Sequence, residues 1–245
     1  TPPIANAGVN QTLSCTNPSL VIGTTAVAGN TYTWSPSAGL TANNIAQPNA
    51  TSPGTYTLTV TNTANGCTAT DAVAISQNIT PPVANAGIDK ILTCATTLVS
   101  IGAATVAGNT YAWSPSAGLS ANNIAQPNAT APGTYTLTVT NITNGCTATD
   151  AVTISQNIVV PTANAGANQT LTCSNPSLAI GTVAIVGNTY IWSPSSGLSA
   201  NNIAQPSATS PGTYTLTVTN TANGCTATDA VTISQNITPP IANAG

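Results

Sequence analysis

Apolar and polar side chains alternate at every second position in the most regular parts of this chain. The clearest run is Thr55-Tyr56-Thr57-Leu58-Thr59-Val60-Thr61, with Tyr56, Leu58 and Val60 on one side and four threonines on the other. Successive side chains of a strand project to opposite faces, so this run predicts a half-buried β-strand. Thr31-Tyr32-Thr33-Trp34 has the same period and puts Tyr32 and Trp34 on one face. Shorter candidates are Ile4 to Ala7 with Gln11 to Ser14, broken at Gly8, then Leu20 to Thr25, a weak run at Ile45 to Gln47, and Cys67 to Ser76. Asn65-Gly66 reads as a two-residue hairpin turn before the last of these. No segment has helical spacing. The predicted class is all-β, with about seven short strands per unit, as in a β-sandwich with Greek-key connections.

The pattern then recurs at a fixed step. Trp34, Trp113 and Trp192 are 79 residues apart, as are Cys15, Cys94 and Cys173, and Cys67, Cys146 and Cys225. Thr1 to Gly8 returns as Thr238 to Gly245. The expected domains are 1–79, 80–158 and 159–237, with 238–245 opening a fourth unit, and the matched ends suggest an interior stretch of a longer array. Pro2-Pro3, Pro81-Pro82, Val160-Pro161 and Pro239-Pro240 mark the joins. Proline keeps such short connections extended and stiff, so the units are expected to form a rod.

Composition narrows the chemistry. One Lys and four Asp are the only Lys, Arg, Asp or Glu residues among 245, there is no His, and the net charge is −3. General acid–base catalysis near neutral pH needs a titrating His or a tuned carboxylate, and nucleophilic hydroxyls need a neighbouring base. The expectation is a non-enzyme with no cofactor. One cation cannot neutralise a row of phosphates, which argues against nucleic acid as a partner. Apolar runs are too short and too interrupted for direct membrane insertion. Roughly a fifth of the residues are Thr. The six cysteines lack Cys-x-x-Cys spacing and a His companion, which favours disulfides over zinc and so an extracellular or cell-surface location.

Ala5-Asn6-Ala7-Gly8, then Asn10-Gln11-Thr12-Leu13, Tyr32-Thr33-Trp34 and Ser52-Pro53-Gly54-Thr55-Tyr56-Thr57-Leu58-Thr59-Val60 together resemble the PKD-type immunoglobulin-like repeat, found in tandem in bacterial extracellular and adhesin-like surface proteins. The resemblance covers each unit three times over. It departs at Ser35-Pro36-Ser37-Ala38-Gly39, where the family commonly carries an acidic Asp-Phe-Gly-Asp-Gly. The resemblance implies a tandem array of three immunoglobulin-like β-sandwiches.

In that topology Cys15 ends the first strand at the far end of its sandwich, whereas Cys67 begins the last strand at the near end. Nine residues of strand separate these ends by ~30 Å, and a disulfide needs Cα atoms within about 7 Å. Head-to-tail stacking instead brings Cys15 towards Cys146 and Cys94 towards Cys225. Reach thus favours those inter-repeat pairs, with Cys67 and Cys173 pairing to further repeats. The alternatives are one pair inside each unit, Cys15 to Cys67, Cys94 to Cys146 and Cys173 to Cys225, and free thiols or another linkage.

The aromatic residues Tyr32, Trp34, Tyr56, Tyr111, Trp113, Tyr135, Tyr190, Trp192 and Tyr214 are expected in the cores. Tyr32 with Trp34 and its copies could otherwise offer a sugar-stacking platform. Asp71, Asp150 and Asp229 are one carboxylate per unit, too few for a calcium cage of six or more oxygens, which leaves no metal site expected. The threonine rows Thr55, Thr57, Thr59, Thr61, Thr134, Thr136, Thr138, Thr140, Thr213, Thr215, Thr217 and Thr219 are candidate O-glycosylation sites that would keep a nearly uncharged surface soluble. The expected function is a structural segment of an extracellular filament or adhesin stalk. Its partners would be further copies of the repeat, with lateral self-association or covalent glycans as additions. The alternatives are a carbohydrate- or surface-binding adhesin module, with its site in the Ser35 to Pro53 loops, and a spacer of a secreted enzyme.

Overall fold

The computed structural model of the protein describes residues 1–238. The expected opening of a fourth unit at 238–245 therefore lies, from Pro239 onward, outside the described residues. The first repeat contains β1 (Gln11–Ser14), β2 (Leu20–Val21), β3 (Asn30–Ser35), β4 (Asn49–Ala50), β5 (Gly54–Asn62) and β6 (Thr68–Asn78). The second contains β7 (Lys90–Thr93), β8 (Val99–Ser100), β9 (Asn109–Ser114), β10 (Asn128–Ala129), β11 (Gly133–Asn141) and β12 (Thr147–Asn157). The third contains β13 (Gln169–Thr172), β14 (Leu178–Ala179), β15 (Asn188–Ser193), β16 (Ser207–Ala208), β17 (Gly212–Asn220) and β18 (Thr226–Asn236). Each set forms a four-stranded sheet of order β1-β6-β5-β3 facing a two-stranded sheet of β2 and β4, or their equivalents. β1 runs parallel to β6 and the other pairs are antiparallel. The protein is all-β: three immunoglobulin-like sandwiches in tandem.

Alternation on β5 and β3 makes the two layers. Tyr56, Leu58 and Val60 turn inward to meet Trp34, Val73 and Ile75 from the same sheet, Ala50 from the other and Ile22 just after β2. Burying each large side chain is worth about 1.5–3 kcal/mol. Trp34 is 1 % exposed and its Nε1 donates to the Ile45 carbonyl at 2.9 Å, so the indole closes the core without an unpaired polar atom. The Tyr56 hydroxyl donates to the Ser52 carbonyl, four residues upstream, at 2.9 Å. That is the tyrosine corner of immunoglobulin-like sandwiches, alongside a buried Trp on the third strand.

Ala7 ties the two layers together. Its N–H donates to Asp71 Oδ2 on β6 at 2.8 Å, and its carbonyl accepts from Gly23 N, just after β2, at 2.8 Å. Gly23 has φ +80°, and a Cβ there would sit 2.1 Å from the Ala46 carbonyl oxygen. Only glycine lets the chain pass this close. The other repeats reproduce the clamp with Ala86, Asp150 and Gly102, and with Ala165, Asp229 and Gly181.

Several local expectations are corrected. Six strands form per repeat, not seven. Ile4 to Ala7 joins no ladder: the Ala7 N–H and carbonyl serve the clamp, and the Asn6 side chain accepts from Gly8 N just beyond it. The second strand stops at Val21, where Ile22 leaves the ladder to donate to the Pro48 carbonyl. No strand forms at Ile45 to Gln47, where the Ile45 carbonyl serves the Trp34 indole, and β4 lies at Asn49–Ala50 instead. The β5–β6 turn spans five residues rather than two. Asn62 N bonds to the Cys67 carbonyl across it, and Gly66 N returns to the Asn62 carbonyl.

Candidate functional site at the joints between repeats

The parallel β1–β6 pairing places Ser14 opposite Asn78. Cys15 thus leaves the sandwich at the end of β6, where the linker to the next repeat departs. Cys67 precedes the other end of β6, and the 11 residues of that strand put it roughly 36 Å away at ~3.3 Å per residue. No disulfide spans that distance. The structure joins Cys15 to Cys146 and Cys94 to Cys225, each with Cα atoms 5.0 Å apart. None of the pairs within one repeat forms. Cys67 and Cys173 carry free thiols.

The disulfide is one part of a larger joint. In the β11–β12 turn Asn144 is 2 % exposed. Its Nδ2 donates to Asn78 Oδ1 at 2.9 Å and to the Thr80 carbonyl at 3.0 Å, so one amide grips the end of β6 and the linker that follows it. Its Oδ1 accepts from Cys146 N at 2.9 Å, and its carbonyl accepts from Cys15 N at 3.0 Å. Every polar group of that side chain faces a partner, as burial demands. Gly145 lies against the preceding repeat, where a Cβ would come 2.1 Å from Thr16 Cγ2. Asn223 repeats the grip on Asn157 Oδ1 and the Val159 carbonyl, and Gly224 lies against Ala95.

The joint is therefore an Asn-Gly-Cys turn of one sandwich seated on the Cys-bearing end of the previous one. Its cysteines are disulfide-bonded and its hydrogen bonds use neutral amides, so they are insensitive to the screening that weakens surface ion pairs. The cysteines of the joint are legible in the sequence, where Asn65-Gly66 reads as turn chemistry alone. The available signal was the contiguity of Asn, Gly and Cys in every unit.

The remaining candidates lie elsewhere. Trp113 and Trp192 are 3 % and 1 % exposed, and Tyr135 and Tyr214 are each 1 % exposed. Tyr32, Tyr111 and Tyr190 are half-buried at the core rim, where their hydroxyls accept backbone N–H bonds from Val27, Val106 and Ile185. Asp71, Asp150 and Asp229 serve the Ala7-type clamps. Threonines Thr55, Thr134, Thr136, Thr213 and Thr215 are exposed on the outer face of the large sheets, whereas Thr57, Thr59, Thr61, Thr138, Thr140, Thr217 and Thr219 are half-buried between neighbouring strands. The extra charges of the second repeat are also explained. Asp89 Oδ1 accepts from Thr153 N as Asn10 Oδ1 does from Ala74 N, and Lys90 Nζ donates to the Ser100 carbonyl as Gln11 does to that of Val21.

No family model and no curated protein matches the chain. Among solved structures it is similar to extracellular domains 3–5 of Drosophila OTK, at 12% identity over 95% of each chain with a TM-score of 0.35. It is similar to the three N-terminal domains of the bacteriophage RB49 highly immunogenic outer capsid protein, at 13% identity over 93% of this chain and 96% of that one, with a TM-score of 0.35. It is also similar to the N-terminal eight immunoglobulin domains of Down Syndrome Cell Adhesion Molecule, at 10% identity and a TM-score of 0.39, covering 95% of this chain but 36% of that one. At such identity and TM-score no activity or ligand transfers. The immunoglobulin-like fold rests on the strand order, the buried Trp and the tyrosine corner.

Proposed function

We propose that the chain is a load-bearing segment of an extracellular filament or adhesin stalk, of the bacterial PKD-type surface-array kind that its motifs resemble. The observation that carries this reading is the interlocking of two inter-repeat disulfides. Cys15–Cys146 closes a loop containing Cys94, and Cys94–Cys225 closes one containing Cys146. If every sandwich unfolded under tension, the covalent path would run from Thr1 to Cys15, cross to Cys146, return to Cys94, cross to Cys225 and continue to Gly245. That path reaches roughly 300 Å, against roughly 830 Å without the cross-links, at ~3.4 Å per residue. Stacked repeats gain length simply by copying a unit, and persistent disulfides suit an oxidising location outside the cell.

Single-molecule pulling of the chain, with and without a reductant, tests the mechanical role. The fully extended length should grow by about 500 Å on reduction, from the same per-residue rise. Equal lengths in both conditions would remove the basis for the reading. Immunogold microscopy of the source cells should then decorate thin surface filaments along their length.

A further inference from the structure

Cys67 and Cys173 are the two free thiols, and each sits at a position that is cross-linked elsewhere in the same molecule. Cys67 corresponds to Cys146 and Cys225, and Cys173 to Cys15 and Cys94, by the 79-residue step. The surroundings correspond too. Asn65, Gly66 and Cys67 repeat the turn formed by Asn144, Gly145 and Cys146. Asn65 Nδ2 already donates to the Thr1 carbonyl at 3.3 Å, as Asn144 does to that of Thr80. What differs is cover. Asn144 and Asn223 are each 2 % exposed and Cys146 and Cys225 are 1 % and 0 % exposed, whereas Asn65 is exposed and Cys67 half-buried. A Cβ on Gly66 would meet nothing within 4 Å, although its equivalents Gly145 and Gly224 are packed against the neighbouring repeat. On the opposite face Cys173 and Ser174 are exposed, and Asn236 ends β18 where Asn78 and Asn157 end β6 and β12.

We infer that the Asn65-Gly66-Cys67 turn and the Cys173–Asn236 face are complementary halves of the same joint, and that each binds a further copy of this repeat through a Cys67–Cys173 disulfide. The occupant is specified by the molecule itself, since two equivalent Asn-Gly-Cys turns are already seated on two equivalent faces. Closure forms one S–S bond from two thiols. A low-molecular-weight disulfide such as oxidised glutathione takes the two electrons, and the two thiol protons leave on the reduced glutathione thiols. This names the partner for the structural role proposed above and rests on that reading, but cysteine pairing can be measured independently of load bearing. The copy can be supplied by another chain or by the same chain continued in phase. A tether raises the local concentration of the partner to about millimolar and favours the second source.

The test has two arms, both oxidised with glutathione and analysed by non-reducing gels and peptide mapping. In the first, the 245-residue chain should form linear multimers whose new bonds are Cys67–Cys173, at least tenfold in excess of Cys67–Cys67 and Cys173–Cys173. Cys67→Ser and Cys173→Ser should each abolish multimers, and mixing them should yield dimers only. Gly66→Ala should slow the new bond about tenfold and leave Cys15–Cys146 and Cys94–Cys225 intact. The second arm is an in-phase fusion in which residue 237 of one copy precedes residue 1 of the next, and Cys173 of the first copy should pair with Cys67 of the second. Pairing in both arms supports assembly between chains. Pairing only in the fusion supports the joint with the same chain as its source. Free thiols in both arms, or symmetric pairs as abundant as mixed ones, would overturn the inference.

Discussion

Asn144 Nδ2 lies 2.9 Å from Asn78 Oδ1, a hydrogen bond between side chains of two different sandwiches. The donor is almost fully buried, and it completes its valence on the Thr80 carbonyl. The two amides hold the adjacent repeats in one orientation beside the disulfide. Asn144→Asp would place a carboxylate oxygen against two acceptors and lose both donors. Leaving buried groups unpaired costs about 1–3 kcal/mol, which corresponds to roughly a fivefold or greater change in equilibrium. In glutathione buffers Cys15–Cys146 should become at least that much easier to reduce than Cys94–Cys225, which serves as the internal reference in the same molecule.

Gly145 and Gly66 separate backbone strain from contact between repeats. Both have positive φ, +68° and +72°, so alanine at either should cost about 1–2 kcal/mol in its own repeat. Only at Gly145 would the new methyl meet the preceding sandwich, at Thr16. Gly145→Ala should therefore open the first joint and raise the reducibility of Cys15–Cys146. Gly66→Ala should leave that bond unchanged while lowering the melting temperature by a similar amount.

The Asp71 clamp requires an acceptor rather than a charge. Asp71→Asn keeps an Oδ1 that can receive the Ala7 N–H and should change stability by less than about 1 kcal/mol. Asp71→Ala leaves that N–H, on a residue 0 % exposed, without a partner and should cost about 1–3 kcal/mol. Chemical denaturation of the two variants distinguishes the cases.

The same reasoning makes the charged pair of the second repeat dispensable. Lys90→Gln with Asp89→Asn restores the groups of the first repeat and preserves both hydrogen bonds. Stability should move by less than about 0.5 kcal/mol, as for surface changes that remove no special feature, measured by thermal melting.

Reduction of both disulfides should lower the melting temperature substantially. Residues 94–146 of the second repeat lie within both closed loops, and loss of a native disulfide removes about 2–4 kcal/mol. For units of this size that is roughly a 10–25 °C fall, read by calorimetry with and without reductant.

Much of the fold was legible along the chain because its determinants are local. The alternation at Thr55 to Thr61 and Thr31 to Trp34 assigns an inner and an outer face wherever a strand forms, and the 79-residue step copies that assignment three times. Strand ends were less legible. Ile22 and Ile45 have strand-like neighbours, yet a distant carbonyl or indole claims their backbone groups, and such competition is invisible without the fold. Alternation, repetition, near absence of charge and two cysteines per unit are properties of the sequence alone, and they determined an all-β tandem array. The tertiary structure decided what those cysteines and the Asn-Gly turns do. The parallel pairing of β1 with β6 carries Cys15 to one end of the sandwich and leaves Cys67 at the other, so each cysteine of a joint, and the Asn144 amide beside it, finds its partner only across the boundary between repeats.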